Sequence, residues 1–192
     1  ATRSGNTLEL GGKNVEFECS LNAHTTSALD RAEPTGTILK KVGTALMTLG
    51  SAVGNPCFTE YQFNNGVLKF ANPYILSCKT YSGVDYEPSF TFTGGTVAFD
   101  DTTCDSSGNL LDISGQLSAS STAAISVKVD SNQTLTWGTS LTTSTAPYGL
   151  KKLGPGSLTL SATPTYTDTT TVEGGTLYIT TTGGYTPTLS DD

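Results

Sequence analysis

Histidine, methionine and tryptophan each occur once in this chain of 192 residues, and only 14% of the residues are charged. No apolar run approaches the ~20 residues that a membrane-crossing helix needs, so no membrane insertion is expected within this segment. The single histidine, His24, excludes a histidine-rich metal site and argues against a Ser-His-Asp triad. The net charge of −7 removes the basic face that nucleic acid or an anionic membrane surface would require. The four cysteines, Cys19, Cys57, Cys78 and Cys104, show no C-x-x-C spacing. With one histidine beside them, a zinc site is not expected. An even number in a chain of this size fits two disulfides and an extracytoplasmic compartment. The opening residues ATRSGNTLEL are polar, with no apolar signal core. This reads as a mature chain, or as an expressed segment whose leader has been removed.

What is abundant points one way. More than a quarter of the residues are Ser or Thr, there are 21 glycines, and strong helix formers are scarce. Threonine favours pleated, half-buried surfaces and glycine favours turns, so the expected class is all-β. Short runs support this: LELGGKNVEFECSL (8–21), GVLKF (66–70), SFTFT (89–93), TVAF (96–99), ISVKV (125–129), TLTW (134–137), SLTL (157–160) and TLYI (176–179). In the first of them the alternation turns Val15, Phe17, Cys19 and Leu21 inward. Residues 22–36 are the least strand-like, and 181–192 read as a tail or final cap.

The chain also repeats itself. LKKVGTALMTL (39–49) matches LKKLGPGSLTL (150–160) without a gap, and FNNGVLKF (63–70) matches VEGGTLYI (172–179). Both pairs recur in the same order at nearly the same spacing. The chain therefore reads as one domain, 1–192, holding two repeat units at about 39–70 and 150–179. A short strand, a glycine turn and a second short strand cannot bury an apolar face alone, whereas stacked coils can. The expected architecture is a parallel β-solenoid. A β-sandwich is the alternative, since Gly94-Gly95 between two strands is a fair hairpin signal. Coils of ~20–25 residues would stack Cys57 on Cys78 and leave Cys19 for Cys104.

The segment 148–179 resembles the passenger-associated transport repeat, also called the autotransporter-associated β-strand repeat. The matching positions are Leu150, Lys152, Gly154, Gly156, Leu158, Leu160, Tyr166, Thr167, Thr169, Gly175 and Leu177, with Asp168 where the family has glycine. The copy at 39–70 is degenerate, with Ala45 in place of a glycine. The resemblance implies a right-handed parallel β-helix, extracellular or on the surface of a bacterium, in an adhesin or autotransporter passenger. It transfers no catalytic residue and no cofactor. Two features depart from typical passengers: the chain has four cysteines, and no translocator barrel is read in it.

Other residues carry candidate chemistry, each with a plainer reading beside it. Glu16 and Glu18 lie two apart on a strand, a spacing of ~6.5–7 Å that suits paired carboxylates of an inverting glycosidase, but a solvated strand face gives the same pattern. Asp100, Asp101 and Asp105 form an oxygen-rich loop that could suit calcium, though a turn is the simpler reading and no metal site is expected. GPG (154–156) and EGG (173–175) lack phosphate-cradling spacing and read as solenoid turns. Lys40-Lys41 and Lys151-Lys152 read as solvated turns. Asn132-Gln133-Thr134 is a formal glycosylation sequon. Trp137 and Tyr166 are the candidate glycan contacts, with Tyr61, Tyr81 and Tyr86 behind them, but packing within the coils is the simpler reading of all five rings. The expected function is non-enzymatic: an extracellular stalk or display scaffold, with host or self glycans or surface proteins as partners. A carbohydrate-binding module and a polysaccharide-cleaving enzyme are the alternatives.

Overall fold

The structure, a computed structural model, describes residues 2–4, 7–10, 15–17, 38–49, 60–70, 88–99, 112–180 and 189–190, the first three stretches and the last by backbone alone. Most strands run for three to five residues with side chains turned alternately inward and outward, and the corners at 42–45, 64–66, 93–95, 130–133, 154–156 and 173–175 each carry glycine or asparagine. In chain order the strands are β1 (Thr2–Ser4), β2 (Thr7–Leu10), β3 (Val15–Phe17), β4 (Ile38–Lys41), β5 (Leu46–Leu49), β6 (Glu60–Phe63), β7 (Val67–Phe70), β8 (Ser89–Phe92) and β9 (Thr96–Phe99). They continue as β10 (Ile125–Val129), β11 (Thr134–Trp137), β12 (Leu150–Leu153), β13 (Ser157–Leu160), β14 (Thr170–Val172), β15 (Thr176–Ile179) and β16 (Leu189–Ser190).

Among the described residues these strands form three sheets, ordered β1-β2-β4-β6-β8, β16-β14-β12-β10-β9-β7-β5-β3 and β11-β13-β15. Among the described residues every strand pair but one is parallel; β1 folds back antiparallel on β2. The expected parallel solenoid is therefore present. The sandwich alternative fails at its own best signal. β8 and β9, on either side of Gly94-Gly95, lie in different sheets, so the glycine pair is a corner and not a hairpin turn. The stretch 8–21, read as one alternating run, likewise contributes β2 to the first sheet and β3 to the second. Coils are less regular than expected. The register pairs Leu8↔Leu39, Leu39↔Tyr61 and Tyr61↔Phe90 give coils of 31, 22 and 29 residues, while Ile125↔Leu150, Leu150↔Thr170 and Thr170↔Leu189 give 25, 20 and 19.

The two repeat units do not stack on the same face. In the first half each corner joins a strand of the first sheet to one of the second: β4 to β5, β6 to β7, β8 to β9. In the second half it joins the second sheet to the third: β10 to β11, β12 to β13, β14 to β15. The step falls between β9 and β10. There Leu117 bridges Phe90, and the amides of Thr122 and Ala123 donate to the carbonyl of Phe92 at 2.8 and 3.1 Å. This segment fills the next place on the first sheet, which puts β10 directly on β9. The second sheet thus runs unbroken through both halves. At about 4.8 Å between strands its eight strands extend roughly 34 Å.

The core changes character along that axis. The first half holds an aromatic ladder: Phe63 stacks on Phe92 at 4.7 Å, Tyr61 on Phe90 at 5.6 Å and Phe70 on Phe99 at 5.9 Å. All three are register partners on neighbouring strands. The second half packs Ile125, Val127, Val129, Leu135, Leu150, Leu158 and Leu160, with Trp137 among them. The region 181–192, read as a tail or cap, carries β16, which adds parallel to β14.

Candidate functional site

The repeated lysine pair is split between inside and outside. Lys41 follows Leu39, and Lys152 follows Leu150, at the spacing that shares one face of a strand. Both side chains therefore enter the core and are fully buried. The Lys152 ammonium donates to the carbonyls of Leu153, Gly154 and Gly174 at 2.8, 2.9 and 3.0 Å. The Lys41 ammonium donates to those of Val42, Gly43 and Asn65 at 3.0, 2.8 and 3.3 Å. In each triad two acceptors belong to the lysine's own corner and the third to the corner of the next coil. The main chain reinforces the link: Glu173 donates its amide to the carbonyl of Lys152 at 2.8 Å, and Asn64 to that of Lys41 at 3.0 Å. Each lysine staples two successive corners. Corner carbonyls lack a strand partner, and buried acceptors left unpaired are costly, so an ammonium with three donors suits the position. Desolvation lowers the pKa of both lysines, that of Lys152 to about 8.

This corrects the reading of Lys40-Lys41 and Lys151-Lys152 as solvated turns. Only the first lysine of each pair faces outward, and Lys151 there forms an ion pair with Glu173. The glycines complete the corner. Gly154 and Gly175 take φ of 76° and 68°, which side-chain-bearing residues rarely adopt, and a Cβ on Gly175 would collide with the carbonyl of Gly156. The run Leu-x-Lys-x-Gly-x-Gly-x-Leu-x-Leu is thus an inward leucine, an inward staple, a tight corner and two more inward leucines.

The outer faces differ in chemistry. On the first sheet, Glu60 accepts hydrogen bonds from Gln62 at 3.0 Å and Thr91 at 2.6 Å. On the second, desolvation pushes the Asp130 carboxyl upward, but Lys69 at 2.9 Å and Lys128 at 3.6 Å outweigh it and hold the pKa below its ordinary value. The third sheet has no charge on its outer face. Register aligns Thr134, Ser157 and Thr176 in one column and Thr136, Thr159 and Tyr178 in the other. Among the described residues, none of these six hydroxyls is spent on a hydrogen bond within the chain. Tyr178 is 57% exposed.

The glycan contacts expected from sequence are placed elsewhere. Trp137 is fully buried beside Leu135 and Leu160, and Tyr166 is buried with its hydroxyl 2.5 Å from Thr170 Oγ1. Neither ring offers a face to a sugar. Trp137 shares the inward parity of Leu135, and Tyr61 that of Phe63, which is why both are core residues. The aromatic on the open face is Tyr178, one position off that parity. Glu16 lies on β3, paired by register with Thr48, while Glu18 lies outside the described residues. So do all four cysteines, His24, Asp100, Asp101, Asp105, Tyr81 and Tyr86. Asn132 sits in an exposed corner at φ 62°. Among the described residues no cluster of His, Cys, Asp or Glu is built to hold a metal.

Fold and corners together define a parallel β-solenoid repeat protein. Residues 150–179 match the family model of the passenger-associated-transport-repeat, over the second stapled unit. That repeat belongs to autotransporter passenger domains, which implies a passenger-associated protein of the cell surface or exterior. Comparison with curated proteins and with solved structures gives no match.

Proposed function

We propose that this chain is a non-catalytic stalk or display scaffold within an exported bacterial surface protein. The observation that carries this reading is the pair of stapled corners along one unbroken eight-stranded sheet, the second lying within the matched repeat. Coils fixed to their neighbours by side chain as well as backbone make a stiff rod, and stiffness is what a display element needs. Antibody raised against the folded chain is expected to label intact cells of the producing bacterium, and brief protease treatment of those cells to remove the label. Label seen only after lysis would defeat the proposal.

The uncharged hydroxyl face of the third sheet favours a second reading, recognition of a neutral glycan along β11, β13 and β15. Hydroxyl columns with an exposed tyrosine at one end offer hydrogen bonds and a ring for stacking. On a glycan array, Tyr178→Ala is expected to weaken binding about tenfold, in line with the ~1–3 kcal/mol of ring stacking in other recognition sites. Thr48→Ala, on the second sheet, is expected to leave binding unchanged. A blank array with the unmodified protein would dismiss this reading and leave the scaffold role standing.

A further inference from the structure

We propose that Asn65 is a self-modifying site, converted to aspartate and isoaspartate by attack of the Gly66 backbone nitrogen, with Lys41 as the activating group. Asn65-Gly66 is the only Asn-Gly step in the sequence. It occupies the exposed corner between β6 and β7, where the Gly66 amide donates to Asn65 Oδ1 at 2.7 Å. The nitrogen is thus already beside the carboxamide it must attack, a placement that replaces a search by a small side-chain rotation. Glycine has no Cβ to obstruct the approach.

What distinguishes this corner from an ordinary asparagine turn is the staple. The Lys41 ammonium donates to the Asn65 carbonyl at 3.3 Å. That carbonyl belongs to the peptide whose nitrogen is Gly66. A cation drawing electron density through the carbonyl makes the Gly66 N–H more acidic, and the reaction requires that proton to leave. The equivalent corner at Lys152 has Gly174 in this place and no carboxamide to react.

The steps balance without any oxidant or reductant. Base removes the Gly66 amide proton, the nitrogen lone pair attacks Asn65 Cγ, and the N–Cγ bond closes a five-membered imide as the carboxamide nitrogen departs as ammonia. Water then adds to one of the two imide carbonyls. Cleavage at Cγ leaves aspartate; cleavage at the backbone carbonyl leaves isoaspartate, with one extra carbon in the main chain. One water enters and one ammonia leaves. In the isoaspartate product the Asn65 carbonyl that Lys41 holds leaves the main chain as a free α-carboxylate, so the acceptor at the first staple changes from a peptide carbonyl to a carboxylate while the second staple is untouched.

The test is peptide mapping of the folded protein after long incubation at mildly alkaline pH, with isoaspartate scored at every asparagine. Conversion at Asn65 ahead of Asn64 and all the others, with isoaspartate the main product, is expected. An amide at Asn65 that lasts as long as those elsewhere overturns the proposal, and this readout needs no variant. Lys41→Met, checked for folding by its thermal transition, is expected to slow conversion several-fold. An unchanged rate in folded Lys41→Met would remove Lys41 from the mechanism. Asn65→Gln is expected to abolish conversion, because its longer side chain cannot close the five-membered ring.

Discussion

Replacing Lys152 with alanine is expected to destabilise the protein by about 3 kcal/mol, whereas replacing its neighbour Lys151 is expected to cost less than about 1 kcal/mol. The two residues carry the same charge and differ by one position. Lys152 is buried and donates to the carbonyls of Leu153, Gly154 and Gly174, each of which loses that donor in the variant. Lys151 contributes one partly exposed ion pair with Glu173, and such pairs contribute little. Urea unfolding of both variants is the measurement, and equal losses would refute the staple. A pH series adds a second readout. Lys152 titrates at about 8 in the folded chain, against an ordinary 10.5. Between those values the unfolded chain holds the extra proton, so the contribution of this group to stability rises with pH and is lost as pH falls through about 8. The stability gap between the unmodified protein and Lys152→Met is therefore expected to widen in favour of the former from pH 8 to pH 10.

The strands were legible because their signals are local. Residues 125–129, 134–137, 157–160 and 176–179 are strands with the bounds that alternation gave them. β6 was not read from its residues, since Glu60 and Gln62 flank Tyr61 in a run with little apolar content. Its inward residues become visible only against Leu39 and Phe90 on the neighbouring coils. The repeat disclosed the corners but not their faces. Alternation tells which side chains point inward, not which sheet a strand joins, and the step between β9 and β10 depends on Leu117 meeting Phe90 across the coil. Parity, not residue type, decides which side chains face solvent. Residue type points lysine to solvent and leaves tryptophan open to either a sugar or the core, yet Lys152 and Trp137 both stand at inward positions beside Leu150 and Leu135. Followed strictly, the alternation would have exchanged Trp137 for Tyr178 as the exposed aromatic.

The change of core along the axis leads to the other large effect. Phe63→Ala is expected to cost about 4 kcal/mol, the range for deleting a buried aromatic from a packed core. The ring lies 4.7 Å from Phe92 and 6.1 Å from Phe90, and is fully buried. Its removal leaves a cavity and interrupts the aromatic ladder between β6 and β8. Solenoids are held mainly by nearest-neighbour contacts, so the loss should stay near where it is made. The second half keeps its own aliphatic side chains and its own staple at Lys152, several coils away in register from β6. Calorimetry of Phe63→Ala is therefore expected to show two transitions where the unmodified chain shows one. Amides of β11, β13 and β15 should retain their exchange protection through the first transition. Loss of protection in both halves together would mean that the second sheet, which runs through the step at β9 and β10, couples the whole rod into one cooperative unit. In that case damage to the first corner would be felt along its full length.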